Sequence, residues 1–87
     1  EPVLEEAGPN SWIVDPHSSL EDLSRKLGIN LRADDSDRLS GWMAEQLGHI
    51  PEQNDVIEAQ GCRVHVLKTR KQRMTRAQIE KVQGGRA

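Results

Sequence analysis

Residues 39–51 constrain the fold of this chain more than any other stretch. Bulky apolar residues recur there at the spacing of one helix face: Leu39, Trp42, Met43 and Leu47. Gly48 follows where a helix can end in a left-handed residue. Ile50 is expected to fold back onto the last turn, and Pro51 prevents the helix from continuing. Because the chain contains no Phe and no Tyr, we expect its core to form around this helix.

An earlier helix ends with the same Leu-Gly stop, at Leu27-Gly28. Its apolar stripe consists of three leucines at helical spacing: Leu20, Leu23 and Leu27. Two capping patterns overlap at its start, and either can begin the helix: Ser18 with Glu21, or Ser19 with Asp22. For the helix of residues 39–47, the predicted cap is Ser36 or Asp37.

The remaining segments alternate as strands do. Residues 11–15 form a short β-type run, residues 55–59 form another, and Gln60-Gly61 marks a tight turn into a third run from Cys62 to Leu67. A basic loop at residues 68–71 leads to a last strand, whose apolar residues are spaced by three and then two, as a β-bulge leaves them: Met74, Ala77 and Ile79. The sequence therefore predicts an α+β fold, with a short N-terminal strand, two helices on one face, and a three-stranded antiparallel meander.

The length predicts one domain. Residues 1–10, with two prolines, a glycine and three acids, are interpreted as a linker or lead-in; residues 11–82 are the domain, and residues 83–87 a flexible tail. Since the first residue is Glu1, we interpret the chain as a piece of a longer protein. No apolar run approaches the roughly 20 residues that cross a bilayer, so any membrane attachment is expected outside this piece.

Charge is divided unevenly along the chain. Residues 1–60 carry thirteen acids and four bases, net −9, whereas residues 61–87 carry eight bases and one acid, net +7. Such asymmetry indicates either an anionic partner for the C-terminal part or two faces of one domain that attract each other, and we favour the second interpretation. The single cysteine, Cys62, excludes an internal disulfide and a cysteine-based zinc site, and it is predicted to be a buried, inert thiol.

With these elements placed, the chain resembles the CorC/HlyC domain, also called the transporter-associated domain. The resemblance runs from about residue 11 to 82 and is carried by motifs in a characteristic order: Trp12-Ile13-Val14-Asp15, Ser19-Leu20-Glu21-Asp22-Leu23, Leu27-Gly28, Asp37-Arg38-Leu39-Ser40-Gly41, Leu47-Gly48-His49-Ile50-Pro51, Asp55, Val64-His65-Val66-Leu67 and Arg73-Met74. Three turn positions depart from the family pattern, which has Gly at or near each of them: Pro16, Ser40 and Asn54. Pro16 requires its turn to be built differently, whereas Asn54 tolerates a positive φ.

The resemblance implies a C-terminal cytoplasmic module of a membrane protein, following a transmembrane region and a pair of CBS domains. Such proteins are associated with magnesium and cobalt efflux and were labelled hemolysins, and related copies end some cation antiporters. The implied role is to modulate transport at the cytoplasmic face of the membrane. The implied partners are the CBS pair, the transmembrane region or a second copy. The fold is grouped with flavin-binding domains, so FAD is a cofactor implied by kinship alone, without a Gly-rich phosphate loop here.

The residues that could carry chemistry are few. Asp34, Asp35 and Asp37 are the only metal candidates, and helix capping and solvation explain them better, because the run lacks the pattern of a calcium loop. The three histidines lie in a turn, at a helix end and in a strand, a distribution that predicts no zinc site: His17, His49 and His65. His49 is expected to satisfy carbonyls at the helix end. No catalytic and no cofactor-binding residue is predicted, so the chain is not expected to be an enzyme.

One dense basic run stands out: Lys68, Arg70, Lys71, Arg73 and Arg76. It is interpreted as a solvated hairpin, or as a surface for an acidic partner or anionic lipid head groups. Nucleic acid is disfavoured because no aromatic residue is interleaved, and Trp12 and Trp42 are assigned to the core. The leading prediction is a non-catalytic regulatory domain of a membrane protein linked to divalent-cation transport. The alternative is a module that binds FAD or an adenine nucleotide beside Trp12 or Trp42.

Overall fold

The computed structural model describes residues 3–71 and 73–82. Seven elements follow one another along the chain: β1 (Val3–Gly8), β2 (Ser11–Val14), α1 (Leu20–Leu27), α2 (Leu39–Leu47), β3 (Val56–Ala59), β4 (Cys62–Arg70) and β5 (Arg73–Lys81). The predicted tail, residues 83–87, lies outside the described part of the chain. The predicted basic loop begins later than expected, since β4 continues through Arg70.

The strands form one antiparallel sheet in the order β1-β2-β5-β4-β3. β3, β4 and β5 are the predicted meander, and β2 pairs with β5, so that α1 and α2 carry the chain from one half of the sheet to the other. The buried side chains of both helices cluster with one face of the sheet. The prediction of an α+β fold with its helices on one face is therefore confirmed.

The sheet has one strand more than the sequence predicted. Part of the stretch interpreted as a lead-in is β1, which pairs with β2 at the edge of the sheet. Its register shifts between Val3 and Glu5 and again between Glu6 and Gly8. These irregularities remove the alternation by which a strand is recognised in sequence. They also blunt an exposed edge against pairing with another chain.

The core lies between the helices and the covered face of the sheet. Cross-strand pairing places Ile57, Val64, Ile79 and Trp12 in one row, and Val66, Ala77 and Val14 in the next. The helices contribute six buried residues: Leu20, Leu23, Leu27, Leu39, Trp42 and Met43. Four of them have an exposed fraction of 0%: Leu23 on α1, and Leu39, Trp42 and Met43 on α2. Three of the four belong to α2, as the predicted core around this helix requires.

Ser19 is the N-cap of α1. Its Oγ accepts a hydrogen bond from the backbone N–H of Asp22 at 3.1 Å, so the second of the two overlapping capping patterns is used. Glu21 pairs instead with Arg25, one turn along the helix, at 3.1 Å.

The start of α2 differs from the prediction, because neither Ser36 nor Asp37 caps it. The N-cap is Arg38, which makes no side-chain capping bond. Main-chain carbonyls replace the cap: the N–H of Leu39 donates to the carbonyl of Ser18 (3.1 Å), and the N–H of Ser40 donates to that of Pro16 (2.8 Å). In return, the N–H of Leu20 donates to the carbonyl of Asp37 (2.8 Å). The first N–H groups of both helices are thus satisfied by each other's lead-in.

Both helices end as the sequence predicts. Gly28 and Gly48 are left-handed, with φ of 70° and 78°, and their N–H groups donate to the carbonyls of Ser24 and Ala44. The expectation that Ile50 folds back onto the last turn is wrong, because 57% of Ile50 is exposed. Pro51, next along the chain, is the buried residue of this segment.

The turns that depart from the family pattern are built as follows. At Pro16 the turn is made by its neighbour Asp15, whose Oδ1 accepts from the N–H of His17 (2.9 Å) and whose carbonyl accepts from that of Ser18 (3.0 Å). Asn54 has a φ of 76°, as its tolerance of this region predicts. Both departures therefore fit the fold.

Gln60 joins three parts of the domain. It lies with Gly61 in the predicted tight turn between β3 and β4, with φ of 54° and 80°. Its Oε1 accepts from Trp42 Nε1 on α2 (3.1 Å) and from the N–H of Arg32 (2.7 Å), and its Nε2 donates to the carbonyl of Arg32 (3.0 Å). One amide side chain therefore connects the helix, the loop between the helices and the sheet.

Candidate functional site

The three candidate metal ligands lie in the loop before α2 with exposed side chains: Asp34, Asp35 and Asp37. The backbone N–H groups of Asp34 and Asp35 donate to the two carboxylate oxygens of Glu45, at 2.8 and 3.0 Å. The carboxylate of Glu45 therefore holds this loop against α2 through its main chain. Within residues 3–71 and 73–82, no group of three or more His, Cys, Asp or Glu side chains is placed to hold a metal ion.

The three histidines lie on different segments of the fold. His17 is exposed in the turn after β2, and His65 is half-buried on the uncovered face of the sheet. Nδ1 of His49 lies 2.9 Å from the carbonyl oxygen of Ile50. His49 therefore contacts its own neighbour, and the expectation that it satisfies the last carbonyls of α2 is wrong.

Cys62 is a free, buried thiol facing the core, with an exposed fraction of 1%. Burial raises its pKa above the ordinary value of 9.0, and the positive charge of Lys81 only partly opposes this. A thiol that resists ionisation and is closed to solvent is a poor nucleophile. The prediction of a buried thiol is confirmed.

Both tryptophans belong to the core, as predicted. Trp42 is fully buried and its ring N–H is bonded to Gln60. Trp12 is half-buried and packs against the core from β2.

The uncovered face of the sheet is polar. Arg63 at its centre bonds Glu58 on β3 (2.9 Å) and Glu80 on β5 (3.4 Å), and these two carboxylates raise the pKa of the guanidinium further. Beside this row, Gln78 Nε2 donates to Ser11 Oγ at 2.6 Å. The charges on this face are therefore satisfied across the strands.

Unlike Arg63, the basic side chains at the outer end of the β4–β5 hairpin form no ion pair among the described residues. We call residues 68–71 and 73–76 the basic arm; its five cations are Lys68, Arg70, Lys71, Arg73 and Arg76, all of them at least partly exposed. The ion pairs of the described residues join Arg25 to Glu21 and Asp22, and Arg63 to Glu58 and Glu80. The arm forms none of them. The ion pair between Arg63 and Glu58 joins the two oppositely charged halves of the sequence, as the second interpretation of the charge asymmetry expects, but the cations of the arm take no part in it.

Two grooves flank Ile50 where the loop after α2 faces the arm. One, of about 710 Å³, is lined by residues 49–52 and Thr69. The other reaches from Ile50 and Pro51 to Arg73 and Met74, and to the start of α2. Both grooves are open and mix apolar with polar and charged side chains, as a surface that contacts another molecule does.

α1 and α2 have eight and nine residues, and in the described part of the chain no helix is long and apolar enough to span a bilayer.

The fold defines a small α+β domain with two helices on one face of a five-stranded antiparallel sheet. The family model of the transporter-associated domain (CorC_HlyC) matches residues 5–83, so the chain belongs to this family. The resemblance detected in the sequence is thereby confirmed, and the match begins inside β1. The comparison with curated proteins gives no match.

Solved structures share the fold closely. The transporter-associated domain of a CBS domain protein from Porphyromonas gingivalis is 24% identical, with a TM-score of 0.82, covering 95% of this chain and 100% of that one. A region described as associated with a Mg²⁺ and Co²⁺ transporter (CorC) from Neisseria meningitidis is 17% identical, with a TM-score of 0.83, covering 94% and 100%. The CorC_HlyC domain of a Xylella fastidiosa hemolysin, in complex with Mg²⁺ and Mn²⁺, is 17% identical, with a TM-score of 0.79, covering 95% and 100%. At these identities the likeness establishes the fold.

Proposed function

We propose that this domain is a non-catalytic regulatory module of a longer membrane protein linked to divalent-cation transport. It acts at the cytoplasmic face of the membrane by packing on the CBS pair or transmembrane region of its own chain, or on a second copy. The observation that carries the proposal is the family match over residues 5–83. Similar structures from a CBS domain protein and from a region associated with a Mg²⁺ and Co²⁺ transporter support this context.

The geometry supports a contact role over a catalytic one. The thiol is buried, and the three histidines lie on different segments of the fold. The carboxylate of Glu45 accepts hydrogen bonds from the main chain of the acidic loop. What the surface offers is a basic arm and two open grooves at one end of the domain. These are features by which one domain biases another through contact.

Removing residues 5–83 from the full-length protein tests the proposal. We expect Mg²⁺ or Co²⁺ efflux, or its response to ion load, to change, because the domain biases the transporting state. The amount of protein in the membrane serves as the control. Unchanged transport at every load, with equal protein, would contradict the proposal.

The nucleotide alternative requires a pocket beside Trp12 or Trp42. The two grooves beside Ile50 are lined by neither residue, and the Trp42 ring N–H is already bonded. We therefore assign no nucleotide to the proposed module. Titration with FAD and with ATP, followed by tryptophan fluorescence, tests this assignment; a saturable change would restore the alternative.

A further inference from the structure

The basic arm extends beyond the strands that flank it. β3 pairs with β4 only as far as His65, and β2 pairs with β5 only from Ala77 onward. Beyond the pair of Val66 and Ala77, β4 and β5 continue together as a two-stranded ribbon. Register shifts on both sides of Lys68 accommodate extra residues at this point, which increases the local twist. The arm therefore extends beyond the other strands of the sheet.

The charge on this ribbon is of one sign. Residues 59–79 contain no Asp and no Glu. On β5 the first acid after Arg76 is Glu80, about 13 Å further along the strand at 3.3 Å per residue, beyond the Debye length of about 8 Å at physiological salt. Across the groove lies Glu52, which forms no ion pair with the arm among the described residues.

Cross-strand pairing brings these cations together. Lys68 pairs with Arg76, and Arg70 with Arg73 at the outer end. Like charges opposite each other in a sheet are unfavourable unless an anion offsets them. The ion pairs of the described residues lie elsewhere in the domain, so no cation of the arm is neutralised by an ion pair with another described residue.

The shape and composition of the arm indicate the partner. A specific protein interface has an apolar core that is depleted of charged residues, whereas the arm presents five exposed cations on a two-stranded ribbon. Single-stranded nucleic acid is held by stacking on aromatic side chains, and the arm has none. Binding to an anionic lipid surface requires neither an apolar core nor aromatic side chains, because clusters of Lys and Arg are attracted to it by charge.

We propose that the basic arm binds the anionic head groups of a lipid bilayer and so orients the domain against the membrane. This inference rests on the proposed function, which places the domain beside a bilayer. It identifies the basic arm as the surface of the domain that faces the lipid.

Co-sedimentation of the 87-residue chain with lipid vesicles tests this proposal. We expect binding to phosphatidylcholine vesicles that contain about one-third phosphatidylglycerol, and none to pure phosphatidylcholine. Binding should weaken steeply as NaCl is raised from about 50 to about 300 mM, because the arm is exposed to screening.

A matched pair of variants locates the surface. Arg70→Gln/Arg73→Gln removes two charges from the arm, and Arg25→Gln/Arg38→Gln removes two from the helical side, so both have the same net charge. Each cation near an anionic surface strengthens binding about fivefold, so the first variant should bind about 25-fold more weakly and the second within about twofold of the parent. Circular dichroism and thermal melting verify that each variant is folded.

Equal weakening by both variants would overturn the proposal, as would equal binding to neutral vesicles. Binding to soluble polyglutamate or to a single-stranded oligonucleotide, with no binding to the anionic vesicles, would also overturn it and assign the arm to that partner. None of these outcomes bears on whether deleting the domain alters transport, so the two proposals fail separately.

Discussion

The ring N–H of Trp42 donates to Oε1 of Gln60 at 3.1 Å, and this bond ties the largest buried side chain of α2 to the turn between β3 and β4. The same oxygen accepts from the backbone of Arg32, so one amide holds a helix, a loop and a hairpin together. Because an indole N–H buried without an acceptor is costly, Gln60 is a structural residue although it is exposed.

Replacing Gln60 by Ala should lower the free energy of unfolding by about 2 kcal/mol, because the buried N–H of Trp42 loses its acceptor. Urea denaturation measures the change. The control is Gln46→Ala on the exposed side of α2, which should be close to neutral. Combining Gln60→Ala with Trp42→Phe should give a coupling energy of about 1 kcal/mol; strict additivity would show that the bond contributes nothing.

Gly41→Ala should destabilise the domain by about 1–2 kcal/mol, although Ala is the better helix former. The reason is steric, since a Cβ at position 41 would collide with Oγ and Cβ of Ser36. Ser36→Gly removes both atoms, so the double variant should recover much of the loss. Thermal melting of the two single variants and the double variant gives the comparison, and equal losses in Gly41→Ala and the double variant would contradict this account.

The stability of the domain should depend on Cys62 at alkaline pH. Burial raises the pKa of the folded thiol above 9.0, so the unfolded chain releases this proton first as the pH rises. The contribution of the neutral thiol is therefore fully present below the pKa of the unfolded state and is lost above it. Urea denaturation between neutral pH and about pH 10 should show a steeper decline for the parent than for Cys62→Ala. Parallel declines would refute the assignment.

Added Mg²⁺ or Mn²⁺ should leave the melting temperature almost unchanged, because the main-chain bonds to Glu45 already explain how the acidic loop is held. A metal present at a hundredfold excess over its dissociation constant would stabilise the fold by about 2.7 kcal/mol. The matched variant is Asp34→Asn/Asp35→Asn/Asp37→Asn. A rise in melting temperature that this variant abolishes would establish a site there.

Local signals in the sequence predicted most of the fold. The Leu-Gly stops work because a left-handed residue at positions 28 and 48 is a backbone requirement that glycine meets. The spacing of Met74 and Ala77 predicted a bulge, and the register of β4 with β5 is indeed irregular beside Lys68. Such signals depend only on neighbouring residues, and they are therefore visible without tertiary information.

The features that were missed depend on distant partners. β1 forms by pairing with the edge of β2, and the irregular register of β1 removes the alternating pattern of a strand from its sequence. The start of α2 uses the carbonyls of Pro16 and Ser18, far back in the chain, in place of a side-chain cap. Gln60 binds Arg32 across 28 positions. No periodicity marks any of these contacts.

The sequence predicted the composition of the basic arm but not its extension beyond the neighbouring strands. Its residues could be counted in the sequence, and their exposure followed from their chemistry. That they stand clear of the sheet depends on where β2 and β3 stop pairing, which only the register of all four strands reveals. Composition therefore indicated the charge of the arm, and the strand register showed how far it extends beyond β2 and β3.

The exchanged carbonyls at the helix starts have a consequence for how the domain opens. The N–H of Leu20 donates to the carbonyl of Asp37, and the N–H of Leu39 donates to the carbonyl of Ser18. Unwinding the start of either helix would therefore remove a hydrogen-bond acceptor from the other. The two helices should then form one cooperative unit in amide exchange, with similar protection at Leu20 and Leu39. A partner that displaces the start of one helix would therefore also disturb the hydrogen bonds at the start of the other helix.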